Sequence, residues 1–142
     1  MSLNVEERDA VVQVRIEKSI STLEEAKGNA AMRYWPATAN RLYYAAYYAV
    51  SALLIANKDT AQTHQGVILV FGLKFVKTGI VSREMGDLYS KLYANRMTGD
   101  YDDTYTLKAE DVQPIIEPTE YFIQTINALT QQLRASAFTK NA

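Results

Sequence analysis

Apolar positions recur every three or four residues along most of this chain, and that spacing predicts helices. From about Val5 to Ala26, Val11, Val14, Ile16, Ile20 and Leu23 fall among charged residues, the pattern of an amphipathic first helix that Gly28 and Asn29 end. After Pro36 the segment ATANRLYYAAYYAVSALLIANK has no internal breaker and predicts a long helix to about Asn57, the most buried element of the fold. Thr63 can cap a third helix, HQGVILVFGLKFVKTG. Its Val-Ile-Leu-Val-Phe run would suit a strand on periodicity alone, but it has helical neighbours and no hairpin partner. Ser82 starts a fourth helix that Gly99 closes. A last helical pattern from about Lys108 to Ala135 runs through Val112, Ile115, Ile116, Phe122, Ile126, Leu129 and Leu133, and Pro114 and Pro118 either kink or split it. The expected fold class is all-α, a bundle of about five helices.

Length changes this picture little: 142 residues suit one domain, with its core over about residues 5–135 and a frayed tail at 136–142. No apolar run approaches the roughly 20 residues of a membrane span, and MSLNVEERDA has neither the basic nor the apolar region of a secretory leader, so a cytoplasmic protein is expected. The absence of cysteine excludes disulfides and thiolate chemistry, and one histidine excludes a histidine-rich metal centre within one chain; no cofactor is called for. Fifteen Lys and Arg against sixteen Asp and Glu give a net charge of -1, so any nucleic-acid site must be local. Tyrosine is abundant, ten against four phenylalanines and one tryptophan, which favours subunit interfaces and polar clefts over a dry core.

The candidate chemistry gathers at the end of the fourth helix. Met85, Tyr89, Leu92 and Arg96 follow one another at 4-3-4 spacing, so Arg96 prolongs an apolar stripe and needs an anion there. Asp100, Asp102 and Asp103 are the nearest; a ligand phosphate is the other, since a guanidinium fork matches both. In the second helix, Ala45, Ala46, Ala49 and Ala52 leave room for a close neighbour. Tyr44, Tyr47, Tyr48 and Ser51 form a hydroxyl-bearing side, with Arg41 one turn below Tyr44. These tyrosines either pack in the bundle or, with Arg41 and Arg96, wall a polar cleft. His64 follows a helix N-cap, where the positive end of the helix dipole favours a neutral imidazole; it is either a structural hydrogen-bonding group or an acid-base catalyst.

Three segments in order, NRLYYAAYYAVSALL, THQGVILVFGLKFVKTG and NRMTGDYDD, resemble the HEPN superfamily (higher eukaryotes and prokaryotes nucleotide-binding) over roughly Val11 to Ala128. The likeness is to its small stand-alone bacterial and archaeal branch, with an R-x-YY-A helix, a T-H-x-G helix start and an R-x-x-x-D-Y-D segment. Here these are Arg41, Tyr43, Tyr44 and Ala45; Thr63, His64 and Gly66; and Arg96, Asp100, Tyr101 and Asp102. The resemblance implies an up-and-down bundle that forms a homodimer, with the arginine motifs of two subunits meeting in one cleft. It also implies a metal-independent ribonuclease of a toxin-antitoxin or defence pair, often partnered by a minimal nucleotidyltransferase.

The family's catalytic signature is an arginine followed after four to six residues by a histidine, and this sequence departs from it. Tyr101 stands at that place, and no histidine lies between it and the C-terminus. Tyrosine, with an ordinary pKa near 10, is a weak base at neutral pH. Arg96 as phosphate clamp, His64 or Tyr101 in acid-base work, Arg41 and Tyr44 as binding residues, and Asp100 or Asp102 as orienting groups make up the catalytic expectation. The alternative is a non-catalytic module that binds a nucleotide or docks a nucleotidyltransferase, in which Tyr101 accepts a nucleotidyl group.

Overall fold

The computed structural model describes residues 3–141, with side chains described for residues 3–137. It is all-α, with no strand among the described residues: α1 (Val5–Ala31), α2 (Trp35–Ala56), α3 (His64–Phe71), α4 (Arg83–Tyr101), the short α5 (Ala109–Val112) and α6 (Ile116–Asn141). The backbone of the expected frayed tail, 136–142, is helical within α6 as far as Asn141, while Ala142 and the side chains from residue 138 lie outside the described residues.

Helices α1 and α2 fold back on each other as an antiparallel hairpin. Arg41 of α2 pairs with Glu25 of α1, Tyr48 lies beneath Arg15, and Ala52 packs on Val12, so the partners run in opposite directions along the two helices. Close approach is possible because Ala45, Ala46, Ala49 and Ala52 are all fully buried. The face of α1 turned inward is Val12, Ile16, Ser19, Leu23 and Ala26, at 4-3-4-3 spacing. Val14 and Ile20, expected on that stripe, are about half exposed. The small polar Ser19 takes an inward place instead, because its hydroxyl donates to the Ile16 carbonyl at 2.6 Å and costs the core no unpaired group.

Both glycine stops are corrected. α1 continues through Gly28 and Asn29 to Ala31, and the chain turns only at Met32 and Arg33, the latter at φ 63°. α4 likewise passes Gly99 to reach Tyr101. Glycine there serves packing: a Cβ at Gly99 would sit 3.0 Å from the Leu107 side chain and 3.5 Å from the Pro36 backbone, where α4 presses against the start of α2.

The apolar third segment is helical, but its second half, Gly72–Val76, widens into a π turn, with the Lys77 amide donating to the Gly72 carbonyl at 2.8 Å. The last pattern is split: Pro114 lies in a 3₁₀ turn, Gln113–Ile115, between α5 and α6, while Pro118 is tolerated in the first turn of α6, where its missing amide has no intrahelical partner to lose. α2 is the hub, packing against α1, α4 and α6. Tyr43, Leu53, Phe71, Tyr89, Leu92, Phe122 and Ile126 fill the centre.

Candidate functional site

α3 brings His64 and α4 brings Arg96 to one cluster of tyrosines on the face of α2. Thr63 caps α3 by accepting from the Gly66 amide at 2.9 Å, which sets the first residue of the helix, His64, against α2. Gly66 has to be small, because a Cβ would fall 2.9 Å from the Thr63 hydroxyl. The His64 Nδ1 lies 2.8 Å from the Tyr43 hydroxyl, and the imidazole packs among Tyr43, Tyr44 and Tyr47, with ring centroids 5.6, 5.6 and 4.7 Å away.

Arg96 reaches the same tyrosines from α4. Tyr89 and Leu92, on the same stripe, are buried, and the Arg96 side chain is only 12% exposed. Its guanidinium carbon stands 5.7 Å from the Tyr43 ring, 5.3 Å from Tyr44 and 5.8 Å from Tyr101, within cation–π range of all three. The anion it needs is supplied by Asp100, whose carboxylate accepts from Nε at 3.0 Å. Burial opposes the charge, but Tyr44, Asp100 and Tyr101 outweigh it and hold Arg96 protonated. Nε is engaged, while among the described residues the Nη1 group meets only the Met97 sulfur, at 3.8 Å.

Partial burial, then the positive charge of Arg96, push the His64 pKa below its ordinary value. The imidazole is therefore neutral at pH 7. Tyr43 moves the other way, its phenol pushed well up by burial, so it keeps its proton throughout the physiological range. The buried Tyr89 ring stacks on Tyr43 at 6.0 Å; the two hydroxyls sense each other electrostatically, but no well-formed hydrogen bond joins them.

Tyr44 is at the centre, its ring 5.3 Å from the guanidinium carbons of both Arg96 and Arg41. Arg41 lies at the edge and is engaged, paired with Glu25 at 3.3 Å and donating twice to the Asn40 side-chain oxygen. Tyr101, on the last turn of α4, is 65% exposed and touches the cluster through its ring. Asp102 does not turn toward Arg96. Its carboxylate accepts from the Thr104 amide and hydroxyl and the Tyr105 amide, which hold its pKa below the usual carboxylate range and shape the chain after α4. Asn40 is a residue the sequence reasoning missed: its amide donates to Asp100 while its oxygen accepts from Arg41, linking both arginines. Tyr47, nearest to His64, was noticed only for its hydroxyl. The signal for it was the i, i+4 spacing of Tyr43 and Tyr47, which puts both rings on one helix face.

Fold and cluster together define an all-α domain with an arginine and a neutral histidine set among tyrosines between three helices. The HEPN domain model matches residues 12–129, and the chain belongs to the HEPN family. It is 33% identical to a UPF0332 protein of Thermotoga maritima, over 90% of this chain and 97% of the relative. Two proteins of Methanocaldococcus jannaschii, each named "Putative toxin", are 29% identical over 76% of this chain and 74% of theirs, and 30% identical over 86% and 90%.

Proposed function

We propose that the chain is a toxin-type HEPN ribonuclease whose centre is Arg96 and His64, completed when two copies meet in a homodimer. The observation that supports this reading is the packing of Arg96 and His64 on the same two rings, Tyr43 and Tyr44. The start of α3 thus supplies the imidazole that the arginine motif itself lacks. In the productive tautomer Nδ1–H donates to the Tyr43 oxygen and Nε2 carries the lone pair. Nε2 takes the proton of a ribose 2′-hydroxyl, whose oxygen attacks the adjoining phosphorus. The bond to the 5′-oxygen breaks, a cyclic phosphate forms, and the leaving oxygen takes a proton from solvent. The Arg96 Nη groups face the charge that grows on the phosphate, a donor role whose loss in other enzymes costs roughly 10²–10³ in rate. Asp100 and Asn40 orient Arg96, and Arg41 and Tyr44 border the bound strand.

The test is cleavage of mixed cellular RNA in excess EDTA by the wild type, Arg96→Ala, His64→Asn and Tyr101→Phe. Cleavage lost in the first two variants and kept in Tyr101→Phe is the expected result. Intact RNA with folded wild type sinks the nuclease reading, and loss in Tyr101→Phe alone moves the base to Tyr101.

The exposure of Tyr101 favours a second reading, in which the chain is the target of a partner nucleotidyltransferase. The phenol oxygen would bond to the α-phosphorus of a nucleoside triphosphate, and pyrophosphate would leave. Co-expression with such an enzyme should then add one nucleotidyl mass to the wild type and none to Tyr101→Phe.

A further inference from the structure

Beside the cluster, between α1, the end of α2 and residues 57–62, a cavity of about 450 Å³ opens to the surface. Tyr47 belongs to both sites: it lines this cavity, and its ring lies 4.7 Å from that of His64. The cavity lining also includes Arg8, Arg15 and Lys58. Among the described residues, none of these three cations meets a carboxylate. Arg8 donates to the Leu3 carbonyl at 3.1 Å and Arg15 lies 5.8 Å from the Tyr48 ring. The one acid in the lining, Asp59, has a side chain only 6% exposed and is engaged by Lys74 at 2.6 Å and Asn57 at 2.9 Å. The cavity is thus cationic inside a chain of net charge -1. Lys58 adds to this at a cost: it sits at φ 63°, a helix-end position where glycine would be unstrained.

We infer that this cavity holds the continuation of the RNA strand whose scissile phosphate lies at Arg96 and His64, with Arg8, Arg15 and Lys58 on phosphates and Tyr47 as a stacking wall. This rests on the ribonuclease reading above. The shape suits a single strand. Arg8 and Arg15 are seven residues apart on one helix, roughly 10 Å along its axis, which spaces them for separate phosphates of an extended chain. An aromatic wall next to a line of cations is the arrangement that grips bases and backbone without reading sequence. A lone phosphate would use one cation and leave the rest of the cavity empty.

The experiment is fluorescence anisotropy with a labelled 2′-O-methyl oligouridine of about 12 nucleotides, which the chain cannot cleave because the attacking hydroxyl is blocked. Wild type, Arg8→Gln/Arg15→Gln, Lys58→Gln and Arg96→Ala are compared across salt concentrations, with circular dichroism melts to show that each is folded. The double variant should bind about tenfold more weakly at low salt, and its salt slope should fall by about 1.4, at ~0.7 per single-strand phosphate released. Lys58→Gln should lower the slope by about half as much. An Arg15→Lys variant, which keeps the charge, should restore most of the affinity in place of Arg15→Gln and guards against a folding artefact. Unchanged slope and affinity in the double variant, with Arg96→Ala weakened, overturn the strand path and leave the centre standing. No binding by the wild type overturns both. Displacement of the RNA by polyglutamate at equal charge concentration also overturns the inference, because it marks an acidic protein segment as the occupant.

Discussion

Removing the Arg96 charge should be felt at His64, and because the chain holds one histidine its titration can be followed without assignment. The perturbation is Arg96→Gln, which keeps length and polarity while deleting the charge. Arg96 and His64 both neighbour the Tyr44 ring, at 5.3 and 5.6 Å, so they stand no more than about 11 Å apart. Two unit charges at that distance repel by about 0.4 kcal/mol in water and about 1.5 kcal/mol at an effective dielectric of 20. In the variant this repulsion disappears, and the pKa should rise toward the ordinary value without reaching it, since partial burial, the larger cause, remains. The assay is the imidazole carbon-proton signal in two-dimensional NMR from pH 4.5 to 8.5. Unfolding measurements should agree with it. The folded pKa lies below the unfolded one, so the unfolded chain binds more protons, and wild-type stability should fall as pH drops below about 6.5. The decline should be shallower in Arg96→Gln. A wild-type value at or above 6.5, or one that Arg96→Gln leaves unmoved, refutes the arrangement of charge argued for the site.

Arg134→Ala should cost about 1–2 kcal/mol by urea unfolding, because the guanidinium holds both Asp9 oxygens, at 2.7 and 3.0 Å, and Gln13 at 2.6 Å, tying α6 to α1. Arg134 holds the Asp9 pKa below the usual carboxylate range, so this difference should be complete above about pH 4 and should shrink as acid protonates Asp9; a pH-independent difference would contradict the pairing. Thr63→Ala removes the cap of α3 and should cost about 1 kcal/mol, with the His64 signal broadened or shifted as the imidazole loses its fixed place, whereas Thr63→Ser should restore both. Leu92→Ala, a fully buried side chain one turn before Arg96, should cost about 2–5 kcal/mol in the same assay; a loss under 1 kcal/mol would mean that α4 is not packed as described.

Much of this was legible in the residues in order, because helix spacing, caps and breakers act within a few positions. The row Met85, Tyr89, Leu92, Arg96 placed Arg96 at a buried edge, and the structure has it nearly enclosed. Asp100, one turn on, pairs with it as a local i, i+4 contact can. The three motifs in order identified the family, which the match over residues 12–129 bears out. The glycines were misread for a physical reason. Glycine ends a helix when it takes up a left-handed conformation, but it also fits where another chain comes close, and only the approach of Pro36 and Leu107 distinguishes the two at Gly99. Val14 and Ile20 were misplaced because an apolar residue on a helix does not say which neighbour it faces, and an inward serine can satisfy its hydroxyl on its own helix.

By itself, then, the sequence determined the all-α class, the run of helices, the family and the burial of Arg96, since these follow from contacts within a turn or two and from motif order. Only the tertiary structure decided that His64, 32 residues before Arg96, packs on the same tyrosine rings, and that Asn40 links Arg41 to Asp100. Those relations depend on how α2, α3 and α4 pack across one another, and the spacing of residues along a chain carries no term for the distance between helices.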